Sequence, residues 1–211
     1  TASAKLDWWF DHHKTAFVSE ADRAHFAAAA SGKKFFDPDY GSCTQLVADV
    51  TRSRFSFDAS GLADLLRWAD LIDAARFPDA KMAVELKEPA LQLMTVLEHH
   101  GDDKLLGTLI PRLMDSPLDE VATTDPVARL FGPLRAAHQR LAERFLARAS
   151  QSGGVVYADL TDESTPAFNK FLAYHLFPEA RYSVTVTSTR SRAKVSVGFN
   201  PWSPRPRAHD I

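Results

Sequence analysis

Near residue 153 the chain changes from a helical sequence pattern to an alternating one. From 133 to 148 apolar residues recur every three or four positions, which predicts an amphipathic helix. After Gly153 and Gly154 the pattern predicts a strand, a helix and two alternating strands, the last two joined as a hairpin. That order predicts a small α+β unit. Its predicted elements are the strand 155–158, the helix 165–176 and the hairpin strands 182–187 and 193–199.

The part before residue 153 is predicted to be mostly helical, with a break at Gly132-Pro133. The fold class is therefore α/β, and the chain divides into three parts. We expect an incomplete, mostly helical domain at 1–125, a connector helix at 126–152 and the α+β domain at 153–211. The helices predicted in the first part are 19–30, 42–50, 60–75, 89–100 and 104–114, with a loop at 32–41.

Composition restricts the class of protein. Of the 211 residues, 45% are hydrophobic and 25% charged, which is typical of a folded globular chain and excludes a disordered one. No apolar run approaches the roughly 18 residues of a membrane span, so we expect no membrane partner. The one cysteine, Cys43, allows no disulfide within the chain, which favours a cytoplasmic protein. Cys43 is predicted to be a small buried residue and not a nucleophile.

The C-terminal end is basic, although the net charge of the chain is −2. The hairpin carries Arg190, Arg192 and Lys194, which are candidates for binding a phosphate backbone. The alternative is a solvated pair of strands with basic residues on its outer face. Trp202 is a candidate for stacking on a nucleic-acid base, and its alternative is to pack beneath the proline-rich tail.

The tripeptide Asp11-His12-His13 follows an apolar run that ends like a buried strand. Neutral imidazoles and carboxylates are ligands that manganese, iron and zinc accept. Side chains at the carboxyl end of a strand point into the crevice where α/β proteins bind ligands. The alternative from the residues alone is a surface turn with two solvated histidines.

Four segments, at 9–16, 41–47, 68–75 and 194–202, resemble the DHH phosphoesterase family in order and spacing. The first contains the family's Asp-His-His signature. The second resembles its small-residue helix start, and the third resembles the segment that carries a late metal-binding aspartate. The fourth resembles the opening of the DHH-associated domain. The resemblance covers nearly the whole chain and implies an α/β phosphoesterase with a C-terminal substrate-binding domain.

The resemblance also implies the roles of individual residues. It implies a site for two manganese ions, with His12 as a metal ligand, His13 in contact with the scissile phosphate and Asp11 orienting the neighbouring histidine. Asp70 is implied as a further ligand, whereas Asp73 is left as a surface or supporting residue. From the residues alone, Asp70 and Asp73 are an ordinary solvated pair on a helix.

Two motifs of the family have no counterpart in the sequence. An Asp-x-Asp motif is expected before the signature, and a Gly-Gly-Gly-His motif is expected near the C-terminus. We therefore expect a fragment that binds metal poorly and is inactive or nearly so.

For the complete protein, the resemblance implies a manganese-dependent phosphodiesterase of short single-stranded RNA or DNA, or of small nucleotides. An exonuclease, an oligoribonuclease and a cyclic-dinucleotide phosphodiesterase all remain open. The competing hypotheses are a non-catalytic nucleotide-binding or regulatory module on the same fold, and an unrelated helical protein with a chance Asp-His-His.

Overall fold

The structure is a computed structural model of the chain, and it describes residues 6–28, 32–165, 168–189 and 191–209. Contacts divide the chain into two compact units. The first contains Thr1–Arg76 and Ile110–Leu118, and the second contains Phe77–Leu109 and Asp119–Ile211. The domain limits predicted from the sequence stay a prediction. The mixed α/β class is confirmed, since helices accompany a small mixed sheet.

The first unit contains a two-stranded parallel sheet. Strand β1 (Trp9–Asp11) pairs with β2 (Lys34–Phe36), with Asp11 beside Phe36 at the carboxyl ends. Trp9 packs against the rings of Phe17, Phe26 and Phe36 on one face, and this aromatic cluster holds the strands in place. The predicted loop at 32–41 was thus partly wrong, because its aromatic residues form a strand.

The helices of the first unit follow the predicted segments with changed ends. Ser42 caps α2 by accepting the backbone N–H of Gln45 at 3.1 Å. A short 3₁₀ turn at Ser60–Leu62 replaces the predicted start of α3. The helices are α1 (Glu20–Ala28), α2 (Cys43–Phe55) and α3 (Ala63–Asp73).

The end of α3 is a Schellman turn built on an alanine. The N–H of Arg76 donates to the carbonyl of Leu71 at 2.9 Å, and that of Ala75 donates to Ile72 at 3.1 Å. Ala75 has a left-handed backbone with φ of 54°, a conformation that usually takes glycine. The turn reverses the chain and returns Arg76 toward the last turn of the helix.

Replacing Ala75 with glycine should stabilise the protein. Glycine adopts a positive φ without the steric cost that alanine carries, so the free energy of unfolding should rise by about 1 kcal/mol. The control is Ala74→Gly, because Ala74 has a right-handed helical backbone and glycine there should cost about 0.5–1 kcal/mol. Urea unfolding measures both. If the free energy of unfolding changed in the same direction in both variants, the assignment of backbone strain to Ala75 would be contradicted.

The second unit contains a four-stranded mixed sheet in the order β3-β4-β5-β6. Strands β4 and β5 are parallel, and the two outer pairs are antiparallel. The predicted α+β order and the terminal hairpin are confirmed. The strands are β3 (Ala149–Ser152), β4 (Val155–Ser164), β5 (Tyr182–Ser188) and β6 (Ala193–Phe199).

Six further helices are described along the rest of the chain. The helix predicted at 165–176 is described as α helix only from 172 to 176. Asn169 accepts the backbone N–H of Phe171 through its side chain at 3.0 Å, which competes with a helical start. Residues 166 and 167 lie outside the described part. The helices are α4 (Ala80–Glu85), α5 (Pro89–His100), α6 (Asp103–Asp115), α7 (Leu118–Ala122), α8 (Asp125–Arg148) and α9 (Leu172–Leu176).

Helix α8 joins the two helical stretches predicted on either side of Pro133, and it is shorter than the predicted connector at its C-terminal end. It runs from Asp125 through Pro133, because its buried residues Val127 and Phe131 anchor the part before the proline. It ends at Arg148, and the residues 149–152 that the predicted connector included form β3 against β4. In the described part of the chain, no helix is both long and apolar enough to span a membrane.

Candidate functional site

The candidate site lies where β1 and β2 of the first unit end. The backbone N–H of Asp37, just after β2, donates to the carbonyl of Asp11 at 3.2 Å. The segments that leave the two strands therefore start side by side. One segment carries the Asp-His-His tripeptide, and the other leads through Tyr40 to the start of α2. This is the strand-end position predicted for the tripeptide.

His12 is held in one orientation with one ring nitrogen lacking a hydrogen bond. Its Nδ1–H donates to the carbonyl oxygen of Tyr40 at 3.1 Å, so the neutral ring has its lone pair on Nε2. Nε2 lies 3.3 Å from Oδ2 of Asp73 without forming a hydrogen bond, and the His12 side chain is only 10% exposed. In the neutral ring two electron-pair donors therefore face each other, whereas a protonated ring would form an ion pair with Asp73.

His13 is oriented by Asp11, as the resemblance implies. Oδ1 of Asp11 accepts the backbone N–H and the Nδ1–H of His13, both at 2.9 Å. Burial raises the pKa of Asp11, but the hydrogen bonds and charge of His13 outweigh burial and leave that pKa below 3.8. Asp11 is therefore ionised at neutral pH. The ring of His13, with its side chain 65% exposed, can meet a bound molecule through Nε2.

Asp73, and not Asp70, is the helix carboxylate that faces His12. The side chain of Asp70 lies beside Arg76, with Oδ2 3.3 Å from Nη1. The role of Asp70 as a metal ligand stays a prediction, and the structure adds Asp73 as a candidate. Helical periodicity could not choose between them, because residues three apart share a helix face.

Cys43 belongs to the same site, which the sequence did not indicate. Burial raises the pKa of the Cys43 thiol, and the negative charges of Asp11 and Asp73 raise it further. Cys43 is the first residue of α2, directly after the cap Ser42. Cys43 is half-buried and not the buried residue that was predicted, and its protonated thiol agrees with the prediction that it is not a nucleophile.

The predicted substrate-binding residues belong to the second unit. Arg192 and Lys194 are exposed at the turn and start of β6, and Arg190 lies outside the described residues. The indole N–H of Trp202 donates to the carbonyl of Phe77 at 2.9 Å, and its ring meets Phe171 edge-on. The structure thus places Trp202 in the packing of this unit.

The side chains of His12 and Asp73 are of the types that bind divalent metal ions. The buried Nε2 of His12 and the Asp73 carboxylate are a nitrogen and an oxygen ligand that manganese accepts. Within the described ranges, no group of three or more histidine, cysteine, aspartate or glutamate side chains is arranged to hold a metal ion. His12 and Asp73 are therefore two candidate ligands, and the predicted manganese site stays a prediction.

Comparison with known proteins shows the fold. No protein-family profile matches the chain, and no curated protein matches its sequence. A solved structure, the pGpG-specific phosphodiesterase PggH from Vibrio cholerae, superposes with a TM-score of 0.72 at 17% identity. The match covers 97% of this chain and 67% of that protein. The chain therefore shares the fold of that protein over nearly its whole length.

Proposed function

We propose that the whole protein is a metal-dependent phosphodiesterase that hydrolyses small nucleotides such as the dinucleotide pGpG, whereas the expectation that these 211 residues alone bind metal poorly and are inactive or nearly so stays a prediction. The likeness to a pGpG-specific phosphodiesterase supports the reaction class and the size of the substrate. The Asp-His-His tripeptide at the strand ends supports the position of the site.

One observation carries the proposal. Nε2 of His12 is buried, has no hydrogen bond and faces the Asp73 carboxylate at 3.3 Å. A buried polar atom without a partner costs about 1–3 kcal/mol, so a fold retains one where a ligand supplies the missing interaction. A divalent cation between the two groups would satisfy both. The Tyr40 carbonyl fixes the tautomer that this requires, because a carbonyl that accepts the Nδ1–H of a histidine leaves Nε2 free to bind a metal ion.

The remaining residues support the chemistry of phosphodiester cleavage. A bound metal ion activates a water molecule and withdraws charge from the phosphoryl oxygens. His12 and Asp73 would hold the ion, which we expect to be Mn²⁺; the family resemblance implies a second one. Asp11 fixes the ring of His13, which in its protonated form would donate a hydrogen bond from Nε2 to a phosphoryl oxygen.

Among the substrates that the sequence left open, the likeness to PggH favours a dinucleotide over a long single strand. We propose Arg192 and Lys194 as phosphate contacts in the second unit, with Arg190 as a further candidate from the sequence. Trp202 is not included, because its N–H and ring are engaged in packing.

The test is Mn²⁺-dependent hydrolysis of pGpG by the whole protein, with chelated protein as the blank. Asp73→Asn should lower the rate by about 100-fold, because the neutral amide is a poor ligand for a hard cation. The matched control is Asp64→Asn on the same helix, since Asp64 pairs only with Arg67 on the surface. Equal rates in the two variants would contradict the role of Asp73. Binding of pGpG without any hydrolysis would favour the non-catalytic module instead.

A further inference from the structure

Arg76 is placed at the edge of the candidate site by the turn that ends α3. Its guanidinium lies with Nη1 3.3 Å from Oδ2 of Asp70, and its side chain is 61% exposed. A guanidinium has five N–H donors, and Nη1 is the group that meets Asp70. The remaining donors are available to a second anion.

Gly41 allows this pair to lie against the backbone beside His12. A Cβ atom at Gly41 would lie 2.5 Å from Nη2 of Arg76 and closer still to Oδ1 of Asp70, so a larger residue there would displace the ends of both side chains. The peptide bond before Gly41 contains the Tyr40 carbonyl that accepts the His12 Nδ1–H. The Tyr40–Gly41 peptide unit therefore lies beside both side chains. His12 meets the carbonyl of Tyr40, and Arg76 lies against Gly41.

A phosphate ester that enters this site meets carboxylates on several sides. Asp11 and Asp73 flank His12, and Asp70 lies beyond Gly41. Repulsion between these charges and the substrate must be offset by cations. Arg76 is the guanidinium placed among them, and its planar fork matches two oxygens of one phosphate group.

We infer that Arg76 binds a phosphate group of the substrate, and that Asp70 is the positioning residue that holds Arg76 rather than a metal ligand. This inference rests on the proposed function. Asp70 fixes one edge of the guanidinium and the α3 turn fixes its backbone, so little freedom is lost when the phosphate binds. Asp70 and Asp73 then have different roles in the same site, three residues apart.

The test compares Arg76→Gln, Arg76→Lys and Asp70→Asn in the full chain. The matched control is Arg67→Gln, because Arg67 also pairs with an aspartate of α3, at 2.7 Å, and is similarly exposed. Binding of the non-hydrolysable phosphorothioate analogue of pGpG is measured by calorimetry in Mn²⁺. Binding of Mn²⁺ alone is measured by electron paramagnetic resonance, and kcat and KM are measured with pGpG.

Arg76→Gln should weaken binding of the analogue by about 10- to 100-fold, the range for losing charge-assisted hydrogen bonds. The affinity of Arg76→Lys for the analogue should lie between those of Arg76→Gln and the wild type, since lysine keeps the positive charge but lacks the planar pair of N–H donors. Asp70→Asn should raise KM and leave Mn²⁺ affinity unchanged within about twofold. Arg67→Gln should bind the analogue like the wild type.

The outcomes separate this inference from the proposed function. If Arg76→Gln binds the analogue as tightly as Arg67→Gln does, Arg76 is not a phosphate ligand. If Asp70→Asn loses Mn²⁺ as Asp73→Asn does, Asp70 is a metal ligand and its positioning role is overturned. If the wild type binds the analogue without cleaving pGpG, and Arg76→Gln weakens that binding, hydrolysis is refuted and the role of Arg76 stands. If the wild type does not bind the analogue, both the proposed function and the role of Arg76 are overturned.

Discussion

Replacing His12 with alanine is expected to lower the rate of Mn²⁺-dependent pGpG hydrolysis by about 100- to 1000-fold, because a catalytic metal supplies several kcal/mol of transition-state stabilisation. The variant removes the buried Nε2 that faces Asp73, and with it the only nitrogen ligand that we propose. The Tyr40 carbonyl and the Asp73 carboxylate would then face a cavity.

The control for this prediction is His99→Ala. The Nδ1–H of His99 donates to a backbone carbonyl, that of Thr95, at 2.8 Å, so the same side chain and the same kind of hydrogen bond are removed away from the proposed ligands. We expect its rate to stay within about twofold of the wild type, as for most surface changes. A His12→Ala variant with the rate of His99→Ala would refute the metal-ligand role.

Replacing Phe145 with alanine should destabilise the second unit by about 3–5 kcal/mol, the usual cost of removing a buried aromatic ring. Phe145 is fully buried on α8, and it packs against Phe168 and Phe177 beside Leu160 and Leu172. This loss of stability combines the hydrophobic free energy that burial of the ring contributed with the cost of the cavity that remains.

Hydrogen exchange measured by mass spectrometry localises this effect. Peptides from β4 should lose protection in Phe145→Ala, because the buried residues of this strand belong to the same core cluster as the ring. The control is Leu146→Ala on the same helix, whose side chain is 55% exposed and should change protection little. Equal protection in the two variants would contradict the core assigned to the second unit.

The parts of the fold that follow from local chemistry were predictable from the sequence. The hairpin followed from alternation across a short turn, and α5 followed from Pro89 at its first turn and Gly101 after its end. Strand β2 was missed, because its three residues lie among turn-forming residues and gain their order from pairing with β1. Pro133 predicted a break, but tertiary packing on both sides keeps α8 continuous.

Some features of the candidate site could likewise be predicted from the sequence, and others could not. The strand-end position of His12 followed from an apolar run that ends in polar residues, and the role of Asp11 followed from the family resemblance. The choice between Asp70 and Asp73 depends on how α3 lies against the loop before α2, which local periodicity does not encode. Cys43 and Gly41 come to the site through that same loop.

The most direct test of the proposed metal site is the binding of Mn²⁺ to the whole protein, measured by calorimetry in the wild type and in the His12→Ala and Asp73→Asn variants. We expect saturable binding of Mn²⁺ by the wild type and a loss of affinity of at least about 10-fold in each variant. The affinity of the control Asp64→Asn should be unchanged. Wild-type affinity in both His12→Ala and Asp73→Asn would contradict the claim that these two side chains hold the metal ion.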